Sequence, residues 1–490
     1  MERIYKTVRC QFPTTSIDNS QMEENIYDPN SRILQVNIPG LKIGDMLHTV
    51  TRTTVERPII PNEFSDEFMF EGQGYIRHIS CEIHGPASLP LRHVELRDKV
   101  GATVTASTRR GQDGMRVYHW EVKGVPRVYD EPAMPSYGMV LQRLLVSTLP
   151  DWSAVSKWYW KLSQPHLDAI SPAMQQTATA LTAGAKTDLE KIKAVFYYVS
   201  KNIRYMGVTP EKNRPGFEPH DVRLTFAKKY GVCRDKAALL VAMLRMAGLK
   251  AYPVLISVDR RLDPDVPDPY FNHAIASVET ASGRYLLMDP TDEHTRVLLP
   301  AYDDNQSYLI CGPEGSDLEL SPVTAARKNM MQIRTTGVLH ADGTLSATSD
   351  LSFGGVNDDA YRGAFAEMRP DERSRFFESR LQQALPGVRL TALRIRPKQM
   401  LDESVSLEVE INYQVPAMAA FGEKRAIVSL PWIGHRFGVV NSILKNTGLE
   451  RRKYPLETRM TCGINEGITL KLADNFVGAV SIPFTSDSMC

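Results

Sequence analysis

Long apolar runs and paired cysteines are both missing from this sequence, and each absence excludes a class of protein. No stretch approaches the roughly 18 consecutive apolar residues that a membrane-spanning helix requires. The six cysteines include no Cys-x-x-Cys pair and do not cluster with the 11 histidines, so we expect no metal site and no cofactor. A chain of 490 residues can fold without disulfides, and we expect unpaired thiols. The cysteines are Cys10, Cys81, Cys233, Cys311, Cys462 and Cys490.

A surplus of charge of either sign is also missing. The chain has 58 Lys and Arg against 57 Asp and Glu, a formal net charge of +1. This balance argues against nucleic acid or an anionic membrane as a partner. The first residues, MERIYKTVRCQFPTT, lack the basic start, apolar centre and cleavage site of a secretory signal. Taken as written, the sequence therefore predicts a cytoplasmic protein.

The length and the changes in pattern along the chain predict three domains. Residues 1–150 and 323–490 are β-rich, whereas residues 151–322 mix helices with strands. We therefore expect an α+β multidomain fold. It consists of an N-terminal β-sandwich-like domain, a central α+β core, and a C-terminal β-sandwich with an inserted helix.

Alternating apolar and polar residues predict strands on both sides of the core. The alternating apolar sets are Leu34, Val36 and Ile38; Tyr118, Trp120 and Val122; and Val405, Leu407, Val409 and Ile411. Residues 340–343 read as a hairpin turn. Residues 371–385 have helical spacing and end at Pro386-Gly387, which predicts the inserted helix.

Helices are predicted ahead of the central strands. The tryptophan-rich segment 151–160 is interpreted as the packed face of a helix rather than a ligand platform, because each indole buries a large area. Thr187 and Glu190 fit a capping box, and apolar residues recur with helical spacing from Ile192 to Ile203.

A candidate nucleophile lies at the start of a further predicted helix, in KKYGVCRDKAALLVAMLRMAGLKAYPVL. Apolar residues keep helical spacing after Cys233, and Gly248 ends the helix. A cysteine in the first helical turn lies at the positive end of the helix dipole, which lowers a thiol pKa and favours the nucleophilic thiolate. The backbone N–H groups of the same turn can stabilise an oxyanion.

Two predicted strands supply the partners of this thiol. His273 opens the strand in PYFNHAIASVE, and Asp289 ends the strand in GRYLLMDPTDE. A turn at Gly283 joins them into an antiparallel hairpin, so both residues lie at the same end. Each residue alone is ordinary, since buried cysteines, structural histidines and aspartates before proline are common. Together they predict Cys233 as nucleophile, His273 as base and Asp289 as its orienter.

Three strings in this region, YGVCRDKAALLVAMLRMAGLKA, FNHAIASV and YLLMDPTDEHT, resemble the core of the bacterial transglutaminase-like superfamily. The form Cys-Arg-Asp-Lys-Ala resembles a subgroup in which this core follows DUF3857, a β-domain of unknown function, and precedes another β-domain. SRILQVNIPGLKIGDMLHTV and VYHWEVKGVPRVYDEPAMP are similar to DUF3857. The resemblance implies that the central core has a papain- or transglutaminase-like α+β fold, with a catalytic triad of Cys233, His273 and Asp289.

The resemblance also implies supporting residues around the triad. Tyr205, Asn272 and Asp235 are candidates for supporting the oxyanion or lining the cleft. Core packing is the alternative for Tyr205, and a salt bridge is the alternative for Asp235 and Lys236. Relatives in this subgroup usually begin with a secretion signal and a longer β-domain. If the N-terminus is truncated, the native protein is expected in the periplasm.

The implied activity is acyl transfer through a thioester on Cys233, with a peptide or protein amide as substrate. Hydrolysis is favoured over crosslinking, although the motif fixes neither. The alternative is a catalytically silent binding or scaffolding protein that uses its β-domains. A metal-dependent hydrolase is disfavoured, because no His, Asp and Glu residues have ligand spacing in the sequence.

Overall fold

The computed structural model describes most of the chain. It covers residues 14–18, 20, 22, 26, 32–97, 104–112, 114–207, 216–423, 425–445 and 447–477. The mixed α and β class is confirmed, with several separate sheets. Within the described ranges, no helix is long and apolar enough to cross a membrane. Cys81, Cys233, Cys311 and Cys462 are free thiols, whereas Cys10 and Cys490 lie outside the described residues.

The N-terminal region is built from short antiparallel strands. They are β1 (Thr14–Ile17), β2 (Arg32–Gln35), β3 (Ser65–Met69), β4 (Ile76–Pro86), β5 (His93–Arg97), β6 (Thr105–Arg110), β7 (Met115–Val125) and β8 (Arg143–Ser147), with the one-turn helix α1 (Tyr137–Val140) before β8. Two sheets, β3-β8-β5 and β4-β7-β6, enclose a shared core that includes Trp120 and Leu144. The sandwich-like arrangement is therefore confirmed.

Two strand predictions in this region have different outcomes. Alternation of Tyr118, Trp120 and Val122 is confirmed, because all three lie on β7 and are buried. The strand predicted from Leu34 to Ile38 ends at Gln35. Every residue of β2 is exposed, so no buried apolar face extends the strand further.

The central region contains the helices and the mixed core. Its elements are α2 (Trp152–Leu167), α3 (Pro172–Thr182), α4 (Asp188–Asn202), β9 (Arg204–Tyr205), α5 (Val222–Lys228), β10 (Tyr230–Gly231), α6 (Cys233–Met246), β11 (Ala251–Ser257), β12 (His273–Glu279), β13 (Tyr285–Met288), β14 (Ser307–Ile310) and β15 (Glu319–Leu320). The sheet order is β13-β12-β11-β14-β15, with all neighbours antiparallel. Residues of α3, α4 and α6 share one core with β11, β12 and β13.

The predicted helix signals of this region are largely confirmed. Trp152 is buried in the core of α2, as expected for a packed aromatic face. Thr187 caps α4 by accepting the N–H of Glu190 at 3.2 Å. In a standard capping box the Glu190 side chain would accept the N–H of Thr187. Here the Glu190 carboxylate accepts the N–H of Lys186 instead, at 2.6 Å. The short helix α5 has no counterpart among the sequence predictions.

The C-terminal region has a five-stranded sheet covered by helices and a small two-stranded sheet. Its elements are β16 (Met330–Leu339), β17 (Leu345–Phe353), α7 (Val356–Glu367), α8 (Pro370–Ala384), β18 (Arg389–Arg396), β19 (Glu408–Val415), β20 (Ala419–Phe421), β21 (Ala426–Val428), α9 (Val440–Leu444) and β22 (Gly463–Leu472). The larger sheet has the order β18-β19-β17-β16-β22, in which β16 pairs with β22 in parallel, and β20 pairs with β21 in the small sheet. The turn at 340–343 and the helix predicted over 371–385 are confirmed.

In detail this region differs from the predicted sandwich with one inserted helix. Phe365 of α7 and Phe377 of α8 are fully buried in the core of the sheet. The two helices therefore cover the apolar face that a second sheet would cover in a sandwich. Val405 and Leu407 precede the observed strand, because β19 begins at Glu408.

Candidate active site

Cys233 is the first residue of α6, and a close backbone approach fixes the start of this helix. A Cβ atom on Gly231 would lie 2.6 Å from the Cβ of Asp235, so only glycine fits there. The Asp235 carboxylate accepts the N–H of Val232 at 3.1 Å. The chain entering α6 is also held by the parallel pairing of β10 with β9. The thiol is therefore presented from a fixed first turn.

Asp235, predicted as a cleft or salt-bridge residue, is a buried anchor of this turn. Its Oδ1 accepts hydrogen bonds from the backbone N–H of His220 at 2.9 Å and from His220 Nδ1 at 3.1 Å. Burial favours the neutral acid, but the bonds from His220 and the charge of Arg234 lower the pKa of Asp235. Its anionic oxygens are directed to the helix start and the preceding loop.

Lys236 is likewise turned into the fold. Its fully buried Nζ donates to the carbonyl oxygens of Ser200 at 3.1 Å and Ile203 at 2.6 Å. These carbonyls belong to the last turn of α4 and the residue after it. Lys236 therefore satisfies the end of α4, which orients the short strand β9 beside the chain entering α6.

His273 and Asp289 are brought together by the predicted hairpin. β12 and β13 pair antiparallel around a turn in which Gly283 has a φ of 74°. His273 is the first residue of β12, and Asp289 directly follows β13. The His273 Nε2 lies 3.0 Å from Asp289 Oδ2. Since His273 also hydrogen-bonds with Cys233, Nδ1 is the ring nitrogen that faces the sulfur.

The Asp289 carboxylate is buried and fully hydrogen-bonded. Besides His273, Tyr302 donates its hydroxyl to Oδ2 at 2.8 Å. Oδ1 accepts the backbone N–H of Thr291 at 2.9 Å and the Thr291 hydroxyl at 2.7 Å. Four donors match the acceptor capacity of a carboxylate. Burial opposes ionisation, yet His273 and these donors lower the pKa of Asp289 to about 2.

The charges of the other two triad residues support each other. Burial opposes the thiolate, but the hydrogen bond and charge of His273, together with Arg234 and the N–H of Ala274, lower the pKa of Cys233. Burial also opposes the imidazolium, but Asp289 and Cys233 raise the pKa of His273 well above its ordinary value. These contacts therefore favour a thiolate–imidazolium pair over the neutral thiol and imidazole.

A second buried carboxyl group, that of Asp303, lies beside this pair. One atom each from His273, Asp289 and Asp303 lie within 4.8 Å of one another. Burial and the charge of Asp289 raise the pKa of Asp303 to about 9. The prediction that no His, Asp and Glu residues have metal-ligand spacing is therefore wrong for the folded chain, because the fold brings together residues that are distant in sequence. We assign the trio to the triad rather than to a metal, since four hydrogen-bond donors already fill the Asp289 oxygens.

The other two predicted cleft residues have defined positions. Tyr205 lies on β9 opposite Gly231, and its N–H donates to Glu293 Oε1 at 3.1 Å. The Asn272 side chain bonds the backbone of Val258 at both ends, with Nδ2–O and Oδ1–N distances of 2.8 Å. Asn272 thus closes the base of the loop that leads to His273.

Three contributors to the site were missed by the sequence predictions. Thr291 follows Asp289-Pro290 directly, and a hydroxyl residue two positions after an aspartate is a signal for a local turn. Tyr302 and Asp303 lie in the short 3₁₀ turn Ala301–Asp303. This turn reaches Asp289 through the fold alone, so no local pattern indicates it.

The sequence matches two family profiles over these regions. The profile of the transglutaminase-like superfamily matches residues 175–290, which contain the whole triad. The profile of DUF3857, a domain of unknown function with a solved structure, matches residues 14–129. No curated protein matches the chain.

Several solved structures are similar to this chain at low identity. A candidate protease from Parabacteroides distasonis is 14% identical, with 76% of this chain and 72% of that chain covered and a TM-score of 0.43. A candidate cysteine protease from Cytophaga hutchinsonii is 13% identical, with 49% and 80% covered and a TM-score of 0.22. The periplasmic domain of TgpA from Pseudomonas aeruginosa, bound to ethylmercury, is 15% identical, with 45% and 76% covered and a TM-score of 0.20.

Proposed function

Since residues 175–290 match the transglutaminase-like superfamily, we propose that this chain hydrolyses a peptide or protein amide through a thioester on Cys233. The observation that carries the proposal is the unbroken line of contacts from the Cys233 sulfur through His273 to a fully hydrogen-bonded Asp289. This is the arrangement of nucleophile, base and orienting carboxylate that cysteine acyl-transfer enzymes require.

The first half of the reaction forms the thioester. The Cys233 thiolate attacks the amide carbonyl carbon, and the carbonyl oxygen becomes an oxyanion. The N–H at the first position of α6 has no acceptor within the helix and can donate a hydrogen bond to this oxygen. His273, as the imidazolium, gives its proton to the leaving amine nitrogen. The carbon–nitrogen bond breaks, and the acyl group remains on the sulfur.

The second half returns the enzyme to its starting state. Neutral His273 takes a proton from water, and the resulting hydroxide attacks the thioester carbonyl carbon. The carbon–sulfur bond breaks, which releases the carboxylic acid and restores the thiolate beside the imidazolium. Cys233 is partly exposed, and this access to solvent supports water as the acyl acceptor over a bound amine.

Alkylation across pH tests the activated thiolate. Iodoacetamide should label Cys233 rapidly near pH 6, with site occupancy followed by peptide mass spectrometry. Cys81 is the internal control, because burial and the charge of Asp66 raise its thiol pKa. His273→Ala should bring Cys233 reactivity down toward that of Cys81. Equal labelling of both cysteines in the wild-type protein would contradict an activated nucleophile and favour the silent binding role.

Product analysis tests hydrolysis. Incubation with a casein digest and a labelled primary amine should release new carboxyl termini or ammonia, without fixing the amine to peptide. Cys233→Ser is the matched inactive control. Amine incorporation that exceeds acid release would replace hydrolysis by crosslinking while leaving the thioester step intact.

A further inference from the structure

The loop that delivers His273 to the site joins two strands of the core sheet. Residues 258–272, here called the histidine loop, run from the end of β11 to the first residue of β12. Asn272 bonds the backbone of Val258 at both ends, so the base of the loop is closed directly beside His273. The histidine loop is therefore tied to the strand end that carries the imidazole of His273.

Arg97, at the end of β5 in the N-terminal sandwich, forms ion pairs with this loop. Its Nε lies 2.8 Å from Asp263 Oδ2, and its Nη2 lies 3.1 Å from Asp263 Oδ1. The same Nη2 lies 2.5 Å from Asp265 Oδ2. Asp263 is only 7% exposed, so this two-pronged pair is shielded from solvent and held in one geometry.

Glu67 on β3 forms a further ion pair with the histidine loop. Its Oε2 accepts from Arg260 Nη1 of the histidine loop at 2.8 Å, and its Oε1 accepts from Arg143 Nη1 at 2.7 Å. Arg143 lies on β8, between β3 and β5, and is opposite Arg97 in the strand register. All three strands of one sheet therefore contribute a charged side chain to the same loop.

The far side of the loop is packed against the catalytic core. Trp152 Nε1 on α2 donates to the carbonyl oxygen of Pro264 at 2.9 Å. Phe271, two residues before His273, is 6% exposed and meets the Trp152 ring edge-on at 5.9 Å. Phe271 and Cys233 belong to one apolar cluster. The histidine loop thus lies between the sandwich and the wall beside the nucleophile.

We propose that the N-terminal β-sandwich is a positioning element of the catalytic site, in which Arg97 and Glu67 hold the histidine loop so that His273 stays aligned with Cys233. This inference rests on the proposed function and deepens it. The proposal assigns a structural role in catalysis to the region that matches a domain of unknown function. Arg97 touches no reacting atom and acts only through Asp263 and the loop.

The test compares two arginine substitutions within the same sandwich. Arg97→Gln removes the charge and the two-pronged pair but keeps a long polar side chain. Arg109→Gln is the control, because Arg109 is exposed on β6 and, within the described part of the chain, pairs with Glu82 at 3.5 Å, away from the histidine loop. The readouts are the rate of Cys233 alkylation by iodoacetamide between pH 4 and 10, in the full chain, and the thermal midpoint.

The expected result is a shift of the alkylation profile in Arg97→Gln alone. A misaligned imidazolium stabilises the thiolate less, so the apparent pKa of Cys233 should rise by about one unit, with about a tenfold slower reaction on the acid side. Glu67→Gln, on a different strand, should shift the profile in the same direction. Arg97→Gln combined with Asp263→Asn should shift it no further than Arg97→Gln, because both changes break one contact.

Failure of this proposal is distinguishable from failure of the proposed function. Folded Arg97→Gln and Glu67→Gln proteins with the wild-type alkylation profile would overturn the positioning role and leave the activated thiolate in place. A wild-type protein without rapid labelling at low pH would overturn the proposed function itself. If Arg97→Gln does not fold, Glu67→Gln decides the question by the same comparison.

Discussion

Tyr302 and His273 donate to the same oxygen of Asp289, at 2.8 and 3.0 Å respectively. The tyrosine hydroxyl therefore helps to fix the plane of the carboxylate that orients the imidazole. A triad whose third member is itself held by neighbours keeps its geometry through the reaction, which lowers the reorganisation required at each step.

Tyr302→Phe should lower kcat/KM with little loss of stability. A hydrogen bond to a charged group contributes about 1.5–3 kcal/mol, so a decrease of roughly ten- to a hundredfold is expected. The measurement is amide hydrolysis at several pH values. Tyr308→Phe is a matched control, because its hydroxyl bonds Glu319 on the same sheet at 2.5 Å, away from the triad. Equal losses in both variants would contradict a specific role for Tyr302.

The activity should have a bell-shaped dependence on pH. The lowered pKa of Cys233 places the acid limb below the ordinary thiol range, because the thiolate must form. The raised pKa of His273 places the alkaline limb above the ordinary imidazole range, because the proton must be available for the leaving amine. Asp289→Asn should narrow the bell by lowering the alkaline limb. An unchanged profile in that variant would remove Asp289 from the mechanism.

Asp303→Asn should stabilise the protein at neutral pH. The pKa of Asp303 is raised to about 9 by burial and by Asp289, so its contribution is favourable below the unfolded pKa of about 4 and is lost as pH rises toward 9. Asparagine stays neutral, so the thermal midpoint should rise by a few degrees at pH 7 and less at pH 4. Asp304→Asn is the control variant for Asp303→Asn.

Asp304→Asn is a suitable control because the Asp304 carboxylate accepts hydrogen bonds from Thr324, which does not bond with Asp303. Asp304 accepts the N–H of Thr324 at 2.7 Å and its hydroxyl at 3.1 Å, so its replacement should bring no gain. A lower midpoint at pH 7 in Asp303→Asn would contradict this prediction and would show that the hydrogen bond between the Asp303 and Asp289 side chains outweighs the cost of burying the carboxyl group.

Arg362→Met should strongly destabilise the C-terminal region. Arg362 is fully buried, holds Asp358 at 2.6 and 3.2 Å, and donates to three backbone carbonyl groups. Breaking a buried pair costs about 3–5 kcal/mol, and the lower end of this range is expected because Asp358 keeps Arg296 as a charged partner at 3.2 Å. Urea unfolding monitored by circular dichroism measures the loss. Arg375→Gln breaks an exposed pair with Asp371 on α8 and should cost about 0.5 kcal/mol or less.

The triad could be predicted because its signals are local. A helix start, two alternating strands and one turn place Cys233, His273 and Asp289 without any knowledge of distant packing. The residues around Asp289 are different. Tyr302 and Asp303 arrive through a 3₁₀ turn, and Thr291 alone has a neighbouring signal. Long-range contacts of this kind leave no periodic pattern in the sequence.

The same limit applies outside the triad. Asn272 remains a predicted cleft residue, and the pairing of its amide with the backbone at the loop base has no signal in the sequence. The strand pattern around Val409 was read correctly, whereas the partner that covers the C-terminal sheet was not. Apolar alternation shows that one face of a strand is buried, but it does not show whether helices or another sheet bury it.

The parallel pairing of β16 with β22 has a consequence for how the protein is made. Ten consecutive residues, from Met330 with Gly463 to Leu339 with Leu472, form the ladder. During translation β16 leaves the ribosome long before β22, and all other strands of that sheet emerge in between. The C-terminal sheet therefore carries an open, hydrogen-bonding edge throughout its synthesis, and a nascent chain stalled before Gly463 is a natural client for a chaperone.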